Sequence, residues 1–226
     1  MDTAPGPGLD RRRCLGRLAG LAAPVLAGRS LVPLAGAWAW AAAAPAQAGA
    51  QIEEPLSDAV RHALQAAVEQ LDPPEPEFLT AEERLAYLRW LSRASWQLRR
   101  RKPEPQARVD FLQTVWYESR RAGLDTALVL GLIEVESAFR KYAISRAGAR
   151  GYMQVMPFWT RVIGDGDPDK LFHLQTNLRY GCVILRHYLQ RERGDLFLAL
   201  GRYNGSRGRA PYPNAVFAAE RRWRLA

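Results

Sequence analysis

Ala127-Leu128-Val129-Leu130-Gly131-Leu132-Ile133-Glu134-Val135-Glu136-Ser137-Ala138-Phe139 is the stretch on which the reading of this chain turns. Set on a helix at ~100° per residue, Leu128, Val129, Leu132, Ile133, Val135 and Phe139 fall in one arc, and Glu136 lies in the middle of it. Glu134, two residues earlier, points the opposite way, where a carboxylate is hydrated at little cost. The stretch predicts a core helix with one ordinary carboxylate and one set among apolar neighbours near the helix end. Such a setting disfavours the ionised form and raises the pKa, which is what a general acid working near neutrality needs. The alternative is a structural Glu at the edge of the arc, paired with Arg140 or Arg146. The helix alone does not choose between them.

Moving outward, Gly123 closes a helix over about 106–122, and Asp125 caps the helix that carries Glu136. Beyond Ser137 come Ser145 and then Gly148-Ala149-Arg150-Gly151-Tyr152-Met153-Gln154-Val155-Met156-Pro157, too polar and too broken for a core helix. Gly148, Ala149 and Gly151 are small enough for backbone to approach a bulky ligand, and Gln154 offers a donor and an acceptor to a neutral sugar or amide. Near the C-terminus Ala199-Leu200-Gly201-Arg202-Tyr203-Asn204-Gly205 ends a helix with a hydroxyl and an amide that could face the same cleft.

These segments, in this order, with the nine-residue step from Glu136 to Ser145 and with Asn177 and Gly181 in the next helix, resemble the soluble-type (SLT) lytic transglycosylases over about residues 124–216. The resemblance implies a lysozyme-like helical domain that cleaves peptidoglycan. It implies Glu136 as catalytic acid/base, with Ser145, Gly151 and Gln154 helping to hold substrate, Met156 lining the cleft, and Tyr203 with Asn204 supporting acid and sugar. It also implies that one Glu does the work of the usual glycosidase carboxylate pair. Glu136 would protonate the oxygen of the MurNAc-GlcNAc β-1,4 bond, then take the C6 hydroxyl proton as a 1,6-anhydro ring closes without water. Tyr152 stands where the family usually has Leu, and Gly205-Ser206 where it usually has Ala-Gly. Alternatives from the residues are a hydrolytic muramidase and a non-catalytic wall-binding or assembly module.

The 226 residues include 32 Lys plus Arg against 23 Asp plus Glu, a net charge of +9 that suits an anionic partner without choosing one. Residues 1–48 read as an export leader: Arg11, Arg12, Arg13, Arg17 and Arg29, an apolar stretch from Leu31 to Ala44 interrupted by Pro33, and Ala46-Gln47-Ala48 as a cleavage site before Gly49. Arg11-Arg12-Arg13 loosely resembles a twin-arginine signal, with Cys14 and Gly16 departing from it. The expected location is periplasmic, with no stable membrane span in the mature chain. Export and the lack of a reading motif argue against nucleic acid as partner.

Cys14 and Cys182 offer no disulfide framework, and Cys182 sits with Leu178, Leu185 and Leu189 on an apolar stripe as a small buried hydrophobe. Asp165, Asp167 and Asp169 lack the distal carboxylate of a Ca²⁺ loop and read as a solvated turn; His173 and His187 have no partner at ligand spacing. Neither metal nor cofactor is called for. The Arg207, Arg209, Arg221, Arg222 and Arg224 group reads as a solvated face.

The predicted class is mainly α. Residues 49–106 form a helical N-terminal extension, with helices over 55–71 and from Thr80 (capped with Glu83) to the basic run at 99–102. Residues 107–226 form the lysozyme-like module, with further helices over 177–190, 195–203 and after Pro213. The extension is expected to pack on the module, since two helices bury little alone. Glycan strands of peptidoglycan are the expected partner, with a cell-wall assembly partner at the N-terminal helices as a second.

Overall fold

The computed structural model describes residues 51–69 and 76–224; the leader read from residues 1–48, and Leu71, Pro73 and Pro74 beyond the first helix, lie outside the described residues. The described chain forms eight α-helices: α1 (Asp58–Glu69), α2 (Ala81–Leu98), α3 (Pro105–Arg121), α4 (Thr126–Ser137), α5 (Phe158–Ile163), α6 (Leu174–Arg191), α7 (Leu196–Asn204) and α8 (Pro211–Arg224). A 3-10 turn at Pro168–Phe172 precedes α6. Among the described residues β pairing is confined to isolated bridges, Ile144 with Arg150 and Arg150 with Val155. The class is mainly α, as the periodicities predict.

Helix starts follow the expected caps. The Asp125 carboxylate accepts from the Ala127 and Leu128 amides at 2.8 and 3.2 Å. Thr80 accepts from the Glu83 amide at 3.2 Å while Glu83 reaches back to the Leu79 amide at 3.0 Å. Three helix starts differ from expectation, α1 beginning at Asp58 rather than at 55. α6 starts at Leu174, ahead of Asn177, and α8 starts at Pro211. A proline in a first turn lacks only an N–H that would be unpaired there, so Pro211 and Pro213 begin the helix where the sequence reading had them precede it.

α4 is buried on nearly every side, including Leu128, Val129, Leu130, Leu132 and Ile133, which makes it the central helix. It packs most extensively on α8. Their backbones touch at Gly131, where a Cβ would lie 2.6 Å from the Glu220 amide nitrogen and 2.9 Å from its Cα. α3 and α6 are joined by a buried pair, Glu118 accepting from the Arg179 guanidinium at 2.9 and 3.1 Å, with Arg121 on the other carboxylate oxygen at 3.2 Å. The same arginines bind the end of α1, Arg121 to the Ala67 carbonyl and Arg179 to that of Val68.

Leu64, Ala94 and Leu98 enter one core with the downstream helices, and Arg108 donates to Ser95 at 2.8 Å. Gln51 is buried and accepts from the Trp159 indole at 2.9 Å. Cys182 is fully buried, and burial pushes its thiol pKa well up.

The Gly131 contact has backbone on its far side, which no rotamer change can relieve. Gly131→Ala is expected to destabilise the fold by ~1–3 kcal/mol through separation of α4 and α8, read as a lowered urea midpoint. An unchanged midpoint would show that the two helices can part freely.

Candidate active site

Glu136 occupies the last turn of α4 and is only 5% exposed. Its Oε1 accepts from the Tyr212 hydroxyl at 2.5 Å, and its buried Oε2 has no hydrogen-bond partner among the described residues. Burial pushes the carboxyl up to about 8, outweighing the Tyr212 bond, which pulls the other way. The arginine pairing left open by the helix is not formed among the described residues; Arg140 donates to the Ser137 carbonyl at 3.0 Å instead. Burial first, and then the Glu136 carboxyl beside them, push Tyr203 and Tyr212 well above the usual phenol range. The two tyrosines remain neutral and keep their protons as donors.

Glu134 corrects the expectation of a hydrated carboxylate. It accepts from the Trp223 indole at 2.8 Å, from Arg222 at 3.0 Å and from Arg101 at 3.1 Å. Partial burial would raise its pKa, but these donors outweigh it and hold the group ionised. The two glutamates of one helix are thus shifted in opposite directions, Glu136 by burial and Glu134 by its donors.

The segment around 143–157 is held from behind by α6. Asn177 accepts from the Met153 amide at 2.8 Å and donates to the carbonyls of Arg150 at 2.9 Å and Leu171 at 2.8 Å. Gly151 has φ +75°, and a Cβ there would meet Asn177 Cγ at 2.8 Å. Gln154, also left-handed at φ 49°, donates to Gly151 at 2.8 Å and Ala143 at 3.0 Å. The Tyr203 hydroxyl donates to the Met153 carbonyl at 2.8 Å. Three residues expected at the substrate therefore have partners within the protein. The space at Gly151 admits Asn177, the Gln154 amide nitrogen serves two carbonyls, and Tyr203 braces Met153 while Tyr212 meets the acid.

Ser145 is half-buried, and its hydroxyl accepts from the Ala149 amide at 3.1 Å, closing the turn ahead of Arg150. Met156 is half-buried against the core. Asn204 donates to the Ser206 hydroxyl at 3.1 Å, and its buried Oδ1 has no partner among the described residues. Asp165 and Asp169 are taken up by Lys170 and Arg150, and Asp167 accepts from the Asp169 amide at 2.9 Å. Among the described residues no group of three or more His, Cys, Asp or Glu is arranged to hold a metal.

Sequence reasoning missed Tyr212. The last helix is expected after Pro213, which leaves Tyr212 outside it, although a proline at a first turn is a helix-start signal that places the next side chains on a helix.

Residues 114–219, the stretch from mid-α3 to mid-α8 that contains Glu136, Tyr212 and the 143–157 segment with Asn177 and Tyr203, match the family model for the transglycosylase SLT domain. This part of the chain is similar to that family. The chain is 39% identical over 83 residues to membrane-bound lytic murein transglycosylase C of Actinobacillus pleuropneumoniae, covering 33% of this chain and 23% of that protein. It is 51% identical over 47 residues to the protein of that name from Mannheimia succiniciproducens, covering 21% and 13% respectively. The similarity thus spans less than a quarter of these relatives' length. A solved structure of an inactive mutant of lytic transglycosylase Slt from Pseudomonas aeruginosa aligns over 71% of this chain and 29% of its own, at 24% identity and a TM-score of 0.40.

Two outcomes follow from the buried carboxyl. Below pH 4.5 it is protonated in the folded and the unfolded chain alike. Between 4.5 and about 8 the unfolded chain releases a proton that the folded chain retains, so stability falls across this window as pH rises. Glu136→Gln removes that loss and is expected to raise stability at pH 7 by up to ~3 kcal/mol, with the difference vanishing toward pH 4.5 in urea unfolding; a pH-independent difference would contradict burial as the cause. Tyr212→Phe removes the bond that favours the ionised form. NMR titration of Glu136 should then place its pKa above that of the parent protein.

Proposed function

We propose that the protein is a peptidoglycan lytic transglycosylase that cleaves the MurNAc-GlcNAc β-1,4 bond and forms 1,6-anhydro-MurNAc, with Glu136 as acid and then base. The observation that supports this reading is the buried carboxyl of Glu136, which burial raises to about 8 and whose one hydrogen bond comes from a tyrosine, whereas buried Glu118 and Glu220 are paired with arginines; it lies in the segment that matches the SLT domain. A protonated carboxyl can deliver its proton to the glycosidic oxygen as the C1–O bond breaks, and the sugar develops oxocarbenium character. The carboxylate left behind gains stability from the Tyr212 hydroxyl at 2.5 Å. It then accepts the proton of the C6 hydroxyl as that oxygen bonds to C1.

The site supports a one-carboxylate mechanism. The aspartates of the 165–169 loop are occupied by Lys170, Arg150 and a backbone amide, and Glu134 is bound by three donors. Ser145, Met156 and Asn204 are assigned to substrate contact, the Asn204 Oδ1 being a buried acceptor still open to a sugar hydroxyl or amide. Gly151, Gln154 and Tyr203 are assigned to holding the 143–157 wall in place. We place the enzyme in the periplasm, on glycan strands, with residues 49–106 as an extension of the 107–226 module. Residues 1–48 support export by composition, and the relatives bear the name membrane-bound.

Digestion of purified sacculi should release muropeptides ending in 1,6-anhydro-MurNAc, lighter by one water than hydrolytic products in mass spectrometry. Glu136→Gln should reduce their release by ~10²-fold or more. Reducing-end products would make the protein a hydrolytic muramidase, and full activity of the variant would remove Glu136 from the chemistry.

A further inference from the structure

Of the seven large apolar side chains exposed among the described residues, four fall on one short stretch: Leu79, Leu85, Leu88 and Trp96. Leu85, Leu88 and Trp96 are 51%, 46% and 67% exposed. With Ser92 between them they run along one side of α2, opposite the side on which Tyr87, Ala94 and Leu98 are buried. The ridge is bordered by exposed Arg84, Arg89, Arg93 and Arg100, with Glu82 the carboxylate on that side. Arg99 completes the border: its guanidinium lies 3.8 Å over the Trp96 ring and donates to the Trp96 carbonyl at 2.7 Å. That stacking holds the indole in one outward orientation.

We propose that the outer face of α2 docks on the surface of an anionic phospholipid bilayer. Leucine and tryptophan enter the boundary between headgroups and acyl chains, and the guanidinium groups meet lipid phosphates. The contact is peripheral, since no helix among the described residues is long and apolar enough to cross a membrane. Charge complementarity selects this occupant. A second copy on the same face would set arginines against arginines. A glycan strand offers carboxylates but no apolar depth for Leu85 and Leu88. α2 lies outside the matched segment 114–219, so the inference is independent of the proposed chemistry.

The test is co-sedimentation of the full chain with vesicles of phosphatidylglycerol and phosphatidylethanolamine, against phosphatidylcholine vesicles. Binding to the anionic vesicles is expected to fall about tenfold on phosphatidylcholine and in high salt. The combined variant Leu85→Gln, Leu88→Gln, Trp96→Gln should lose binding by about tenfold with thermal midpoint and sacculus cleavage unchanged. Because the leader also holds an apolar stretch, a solvatochromic dye on Ser92→Cys, in a Cys14→Ser background, reads α2 itself. A blue shift and quenching by a lipid-borne quencher are expected on anionic vesicles. A dye that stays hydrated there, a variant that partitions like the parent, or a lipid-independent dimer that buries the dye would each overturn the proposal.

Discussion

An ionisable side chain closed inside the most apolar helix of the molecule is the constraint around which the rest is arranged. Desolvation of Glu136 outweighs its one hydrogen bond, and so the group stays neutral at pH 7. Keeping it dry requires α8 to lie against α4 without a gap, and three residues of α4 secure that in turn. Gly131 removes the side chain that would hold the helices apart. Glu134 binds Arg222 and Trp223 near the end of α8, and Glu136 meets Tyr212 at its beginning. The acid and the contact that shelters it are built from one helical segment. A change in the crossing of α4 and α8 therefore acts on the proton as well as on stability.

Segment 143–157 depends on side chains for its main-chain hydrogen bonds, which explains why Asn177, Gln154 and Tyr203 are found holding backbone groups. Segment 143–157 has little regular hydrogen bonding of its own beyond the bridges at Ile144, Arg150 and Val155. Buried backbone polar groups need partners. Asn177 from α6 and Tyr203 from α7 supply them at Arg150 and Met153, while Gln154 closes the segment on itself. Asn177 and Tyr203 stand on helices, so the segment is held in place by elements that are themselves packed.

Periodicity carried the position of Glu136 because burial of a helix face is a local property, written in the residues three and four apart. The capping of α4 by Asp125 and the buried stripe with Cys182 were readable for the same reason. Tyr212 was not: its partner is 76 residues away in the chain, and local pattern says nothing about which helix crosses which. Glu134 misled for a related reason. Its direction away from the Glu136 arc was inferred correctly, but that side of α4 is covered by Arg101 and Trp223 from elsewhere in the chain. At the 143–157 segment the sequence marks a stretch too broken for a core helix, whereas the hydrogen-bond partners of Gly151 and Gln154 depend on tertiary packing.

Under the proposed chemistry, the use of one carboxyl and the dryness of its setting belong together. A neighbouring carboxylate could raise the pKa by repulsion, as in paired-acid sites, but it would also offer a base for water. Raising the pKa by burial alone leaves water poorly accommodated at the acid, and the hydroxyl that is certain to be present is the one on the substrate's own C6. Intramolecular attack then needs no ordered water and gains from proximity. The energetic cost is borne by the fold, since the folded chain forgoes an ionisation that the unfolded chain enjoys above pH 4.5. The extensive α4–α8 contact is where the structure has apolar burial available to offset that cost.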